Sequence, residues 1–216
     1  MCPDLGYTRS EIVLTWGARM LEVSVAILAG GRSRRMGQDK ALLPLGGRSV
    51  IERIIDRVLP LSDDVTIITD VPDKYCHLGY PMVGDVYPGK GSLGGIYTAI
   101  HTAQYLNCVV VACDMPLLNT DLLCYLAGLA PDFDVVVPRI EGFPETMHAV
   151  YGKGCLEPIQ QRLLADQLKI IGFFEDVRVR YVKCDEVSRF DPNFLSFINI
   201  NTPDDWERVR RMEGGT

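Results

Sequence analysis

The first strongly patterned stretch of the chain is residues 23–28, a short apolar, β-rich run that stops at Ala29-Gly30-Gly31. Its apolar residues are continuous rather than alternating, as in a strand covered on both faces. After a loop, residues 48–59 carry Val50, Ile51, Ile54, Ile55 and Val58 at helical spacing, and a second strand follows at 65–69. The same unit then recurs: a helix over 94–106, a continuous apolar strand over 108–113, a helix over 119–129 and a strand over 135–138. Beyond Pro138 the segments shorten to strands near 148–151 and 177–182, with helices near 156–164 and 203–212. Asn201-Thr202-Pro203-Asp204-Asp205 supplies the start of the last helix, with a polar cap, proline in the first turn and acids facing the positive helix end. The alternation predicts an α/β fold, a mostly parallel sheet covered by helices on both faces, in one domain over residues 23–216. Residues 1–22 lack a sustained period and read as an N-terminal extension.

The chain of 216 residues is long enough for one full core. No apolar run approaches the roughly eighteen residues of a membrane span, so no membrane partner is expected. Seven cysteines, odd in number and without a CxxC pair, together with an N-terminus unlike a signal peptide, predict a reducing, cytoplasmic location. A net charge of −6 argues against a nucleic-acid surface. Positive charge is nevertheless concentrated locally, with Arg32, Arg34, Arg35 and Lys40 falling in one short segment. Such a loop on an acidic protein suits a small polyanion better than a duplex.

That segment, Leu28-Ala29-Gly30-Gly31-Arg32-Ser33-Arg34-Arg35-Met36-Gly37-Gln38-Asp39-Lys40, follows the first strand directly. Open α/β sheets bind ligands at the carboxyl ends of their strands. Glycines there let backbone N–H groups approach a phosphate chain, and Arg35 and Lys40 can neutralise charge that grows during phosphoryl transfer. The spacing is not that of a P-loop, since Gly37 is followed by Gln38 and no Gly-Lys-Ser/Thr occurs. A second glycine loop, Gly89-Lys90-Gly91-Ser92-Leu93-Gly94, formally matches a dinucleotide-binding fingerprint, with Asp114 twenty residues past its last glycine. The preceding segment carries Pro81, Gly84, Asp85 and Pro88 and makes a poor central strand, and a dehydrogenase would leave the 28–40 loop unexplained.

The 28–40 segment resembles the signature of the molybdenum cofactor guanylyltransferase family, among nucleotidyltransferases with a Rossmann-like sheet. The resemblance continues through Asp85, the glycine loop at 89–95, Val109-Val110-Val111-Ala112-Cys113-Asp114-Met115-Pro116, His148-Ala149-Val150-Tyr151 and Asn199-Ile200-Asn201-Thr202-Pro203, covering about residues 23–206. It implies an Mg²⁺-dependent enzyme that transfers GMP from GTP to the molybdopterin form of the molybdenum cofactor and releases pyrophosphate. Molybdoenzymes or other cofactor-biosynthesis proteins are implied as further partners. On this resemblance Leu28, Ala29, Gly30, Gly31, Lys40, Asp85 and Asp114 hold the nucleotide, Arg35, Lys40 and Asp114 act in catalysis, Asp114 holds the metal, and Asn199 and Asn201 bind the pterin.

Physical reasoning supports the role of Asp114, because a carboxylate just past a buried strand is held rigidly where a hard cation can bridge it to phosphate oxygens. Asn199 and Asn201, as alternate residues of one extended segment, face the same side, although they could instead cap the last helix. His148, alone in an apolar strand, reads as a hydrogen-bonded structural residue. Two departures from the family pattern stand out: Gly91-Ser92-Leu93 replaces Gly-Pro-Leu, and Thr69-Asp70-Val71-Pro72 lacks the usual asparagine, so no role transfers to Val71. Cytidylyl transfer to the same cofactor, a sugar-phosphate nucleotidyltransferase and a nucleotide-binding regulator without turnover are the alternatives. Lys40, Asp85 and Asp114 together favour an enzyme, and the Gly30-Gly31 pair resembles guanylyl rather than cytidylyl enzymes.

Overall fold

The computed structural model describes residues 22–30 and 39–213. Apart from Glu22 the expected extension lies outside the described residues, as do the candidates Gly31 and Arg35. In chain order the elements are β1 (Ser24–Leu28), β2 (Pro44–Leu45), β3 (Arg48–Ser49), α1 (Val50–Val58), β4 (Val65–Ile68), β5 (Met82–Val83), α2 (Gly91–Thr102) and β6 (Asn107–Ala112). They continue with α3 (Thr120–Leu129), β7 (Val135–Ile140), β8 (Phe143–Pro144), β9 (His148–Gly152), α4 (Leu156–Leu164), β10 (Val179–Val182), α5 (Cys184–Val187) and α6 (Pro203–Glu213).

The main sheet runs β10-β7-β9-β6-β1-β4-β5, with β8 hydrogen-bonded to β7. β1 pairs in parallel with both neighbours, Val25 lying opposite Val65 of β4 and Val109 of β6. β9 and the short β8 depart from the parallel pattern, β9 running antiparallel to both β6 and β7 and β8 antiparallel to β7. The reason is their connection: β7 turns back through β8 into β9 without the crossover helix that a parallel return would need.

Continuous apolar strands fill both faces of this sheet. Val25 and Ile27 of β1 pack with α1 and α3, while Ala26 and Leu28 pack with α2 and α4. The five apolar residues anticipated on α1 are all buried, and the helix opens with a capping box between Ser49 and Glu52. These two hydrogen-bonded contacts hold the Glu52 carboxyl below its ordinary range. Boundaries depart from expectation mainly in α2, which starts at Gly91 and stops at Thr102. Its early start is possible because Gly94 carries no Cβ, which would lie 3.1 Å from the Tyr87 carbonyl oxygen. β5, unanticipated in a segment rich in proline and glycine, is a two-residue edge strand.

The segment before α6 is built by polar contacts. Asp191, only 5% exposed, accepts hydrogen bonds from Leu195 N–H at 3.0 Å and Ser196 N–H at 2.8 Å. The Ser196 hydroxyl in turn accepts from Asn119 N–H, whose side chain caps α3. Ile200 then donates its N–H to the Asp114 carbonyl at 2.9 Å, so the last loop is fastened to the end of β6. Replacing Asp191 by alanine leaves two buried N–H donors without their carboxylate. Urea unfolding of Asp191→Ala is expected to show a loss of about 2–4 kcal/mol, with Asp191→Asn losing less.

Candidate active site

A cleft of about 1330 Å³ opens where β1, β4 and β6 end, bordered by Leu28, Ala29 and Gly30, by Asp85 beyond β5, by Asp114 beyond β6, and by Asn199 and Asn201. Backbone hydrogen bonds hold these strand ends side by side: Ala29 N–H to Ile68 O at 2.9 Å, Thr69 N–H to Val83 O at 2.9 Å and Cys113 N–H to Leu28 O at 3.2 Å. The described candidates other than Lys40 therefore border one cleft from segments far apart in sequence.

Lys40 closes the arrangement. Its Nζ donates to Asn201 Oδ1 at 2.7 Å and lies 3.9 Å from Asp114 Oδ2. Lysine offers only donors, so the amide oxygen of Asn201 must face it, which leaves the amide N–H₂ free to donate elsewhere. Asn201 does not cap α6: the Thr202 hydroxyl accepts from Asp205 N–H, and Asp205 Oδ2 accepts from the N–H groups of Asn201 and Thr202. The aim of Lys40 is set one residue earlier, where Asp39 accepts from Ala41 N–H at 3.2 Å, Lys74 Nζ at 3.0 Å and the buried Tyr75 hydroxyl at 3.1 Å.

The two carboxylates are taken partly out of water. Burial raises the Asp114 carboxyl above its ordinary value, and the nearby Lys40 ammonium offsets part of that. Burial also raises Asp85, and the neighbouring negative charge of Asp70 adds to it. Asp85 Oδ1 is buried and has no hydrogen-bond partner among the described residues. The Thr98 hydroxyl, close by, gives its proton to the Gly94 carbonyl at 2.9 Å rather than to this oxygen. The Asp85 N–H donates to Asp70 Oδ1 at 3.1 Å.

His148 is not part of the cleft. It is fully buried, its ring centroid 4.9 Å from that of Phe197, and burial depresses its pKa to about 4, so the imidazole is neutral at pH 7. The expected structural role holds without the expected hydrogen bonds: neither ring nitrogen has a partner among the described residues. Val71 borders the cleft with an apolar side chain, consistent with no polar role there. Sequence reasoning missed Asp70, Lys74 and the turn Glu145-Thr146-Met147, all of which border the cleft. Lys74 and Glu145 carry no local signal, because only the pairing of distant strands brings them to it.

Strand order, the carboxylates at the strand ends and a lysine beside one of them fit a nucleotidyltransferase of the Rossmann-like type. The family model for the MobA-like NTP transferase domain matches residues 25–175. The chain belongs to the molybdenum cofactor guanylyltransferase family of MobA-like NTP transferases. It is 39% identical to a probable molybdenum cofactor guanylyltransferase of Pelotomaculum thermopropionicum, over 89% of this chain and 94% of that protein. It is 34% identical to a molybdenum cofactor guanylyltransferase of Desulfosudis oleivorans, over 87% of this chain and 94% of that one. Among solved structures, molybdopterin-guanine dinucleotide biosynthesis protein A from Archaeoglobus fulgidus superposes with a TM-score of 0.78 at 28% identity, covering 89% of this chain and all of that one.

Asp85 gives a pH-dependent test of the site. A carboxyl whose folded pKa is raised favours the folded state below its ordinary value of 3.8, and that contribution is lost as pH rises through the folded value. At neutral pH the wild type therefore carries a half-buried carboxylate, with Oδ1 lacking a partner among the described residues, whose charge Asp85→Asn removes. Urea titrations should find the variant slightly more stable at pH 7, solvent screening keeping the gain small. The difference should vanish as pH falls below 3.8, while turnover at pH 7 drops.

Proposed function

We propose that this protein transfers GMP from GTP to the terminal phosphate of the molybdopterin form of the molybdenum cofactor. An oxygen of that phosphate forms the new bond to the α-phosphorus of GTP, the bond from that phosphorus to the bridging oxygen breaks, and pyrophosphate leaves. The observation that carries this reading is Lys40, bonded to Asn201 and 3.9 Å from Asp114, which joins the two halves of the cleft at one point. Similarity to enzymes named for guanylyl transfer to this cofactor supports the choice of substrates.

In this reading the backbone at Leu28, Ala29 and Gly30, continued by Gly31, approaches the triphosphate, and Lys40 and Arg35 neutralise charge that builds on it. Asn199 and the free N–H₂ of Asn201 hold the acceptor, setting its phosphate in line with the α-phosphorus, so positioning does much of the work. The carboxylates suit a hard dication. Asp85 and Asp114 border one cleft, both raised by burial, and one has an orphaned oxygen. Asp114, with Asp85 on the same cleft, would hold Mg²⁺ through one or two carboxylates, as this hard cation favours. Bound there, Mg²⁺ would supply charge neutralisation to the phosphates. No helix among the described residues is long and apolar enough to cross a membrane. A cytoplasmic reaction with dissolved substrates is the setting we propose.

GTP is expected to be the donor. Gly30 borders the cleft, and its pairing with Gly31 resembles guanylyl rather than cytidylyl enzymes. Incubation with molybdopterin, Mg²⁺ and each nucleoside triphosphate in turn should give the guanine dinucleotide, with kcat/KM for GTP at least ~100-fold above that for CTP. Equal values for the two would reject the guanylyl assignment. Asp114→Asn keeps size but loses the charge that attracts a dication. Its kcat, followed by pyrophosphate release, should fall by roughly 10²-fold or more while thermal unfolding stays cooperative. Near wild-type turnover would remove Asp114 from the mechanism.

A further inference from the structure

We propose that the Glu145 carboxylate reads the hydrogen-bond donor edge of the acceptor's pterin ring and so decides which ring the acceptor half of the cleft accepts. This rests on the transfer to a pterin-bearing acceptor proposed above.

Glu145 sits in the turn between β8 and β9, and that turn is fixed along its backbone. Its N–H donates to the Pro138 carbonyl at 2.8 Å and its carbonyl accepts from His148 N–H at 3.0 Å. The Thr146 carbonyl accepts from the buried Tyr151 hydroxyl at 2.7 Å, and the Met147 carbonyl accepts from Ala112 N–H, at the end of β6, at 3.1 Å. The side chain carried by this rigid turn borders the cleft. Its carboxylate has no hydrogen-bond donor or cation among the described residues, and burial alone raises its pKa. A carboxylate drawn from water without a donor is costly, and a ligand that brings donors removes the cost.

Strand order tells which ligand that is. Glu145 precedes β9, on the far side of β6 from β1, whereas Asp85 and Val71 follow strands on the other side of β1. Asp114, following β6, lies between the two groups. A nucleotide held at Leu28, Gly30 and Asp85 therefore has its base directed away from Glu145, and the acceptor ring faces it. The pterin ring presents its 2-amino group and N3–H side by side, two donors that match the two oxygens of one carboxylate. Guanine has the same donor pair, so the experiment must separate the two rings.

Equilibrium binding of pterin and of lumazine, which has a 2-oxo group in place of the amino group, is followed by their own fluorescence in wild type and Glu145→Gln. Wild type is expected to prefer pterin by ~30-fold or more, since a site built around ligand donors rejects an analogue lacking one. The glutamine amide can accept from N3–H and donate to the 2-oxo group of lumazine, so Glu145→Gln should abolish or reverse that preference. In the full reaction its KM for the acceptor should rise at least ~10-fold with KM for GTP unchanged. An unchanged pterin preference in Glu145→Gln overturns the proposal, as does a loss of GTP affinity in place of pterin affinity, which would assign Glu145 to the guanine. A wild type whose pterin preference is lost in Glu145→Gln, but which forms no dinucleotide from any nucleoside triphosphate, upholds the role of Glu145 and rejects the transfer reaction.

Discussion

A sheet sealed on both faces leaves its polar ligands one place to go. β1 and β6 lie between two helical layers, with every residue of β1 buried, so neither face of the central strands can meet a charged molecule. The cleft opens at the carboxyl ends of the strands, and there the hydrogen bonds from Ala29 and Cys113 keep neighbouring ends in step. The candidate side chains follow from this: Asp85 and Asp114 hang from strand ends, and Lys40 reaches to within 3.9 Å of Asp114. The same burial makes the carboxylates costly to ionise, which is the property that turns them into sites for a cation or a donor.

The position of Lys40 depends on a second layer of contacts. Asp39 gathers an ammonium, a phenol and a backbone N–H, and in doing so caps the short turn that carries Lys40. Lys40 then spans to Asn201, a contact between residues 161 positions apart. A cation held at both ends of its stem pays less entropy on meeting phosphates than a free lysine would.

Much of this was readable in the chain because the readable parts are local. Helical spacing fixes the buried face of α1, continuous apolar runs mark β1 and β6, and the glycines that follow β1 mark the strand end at which the cleft opens. The two asparagines could be paired from their alternation alone, although that Asn201 does not cap the helix needed the observed contacts of Thr202 and Asp205. What the chain hides is non-local. The antiparallel insertion of β9 depends on a hairpin whose strand β8 is only two residues long, too short to carry a period. Glu145 and Lys74 reach the cleft through strand pairing, which no window of sequence contains. His148 looked like a residue in need of partners, and its surroundings are instead an aromatic ring and apolar strands.

The hydrogen bond from Ile200 to the Asp114 carbonyl also bears on how the molecule is made. On the ribosome β1, β4 and β5 emerge first, and their parallel pairing already demands contacts between distant parts of the chain, a slow kind of folding. The loop that carries Asn199 and Asn201 emerges much later and docks on a residue placed long before. One side of the cleft can therefore form before the chain that lines its other side exists, and the edge around Asp114 is covered last.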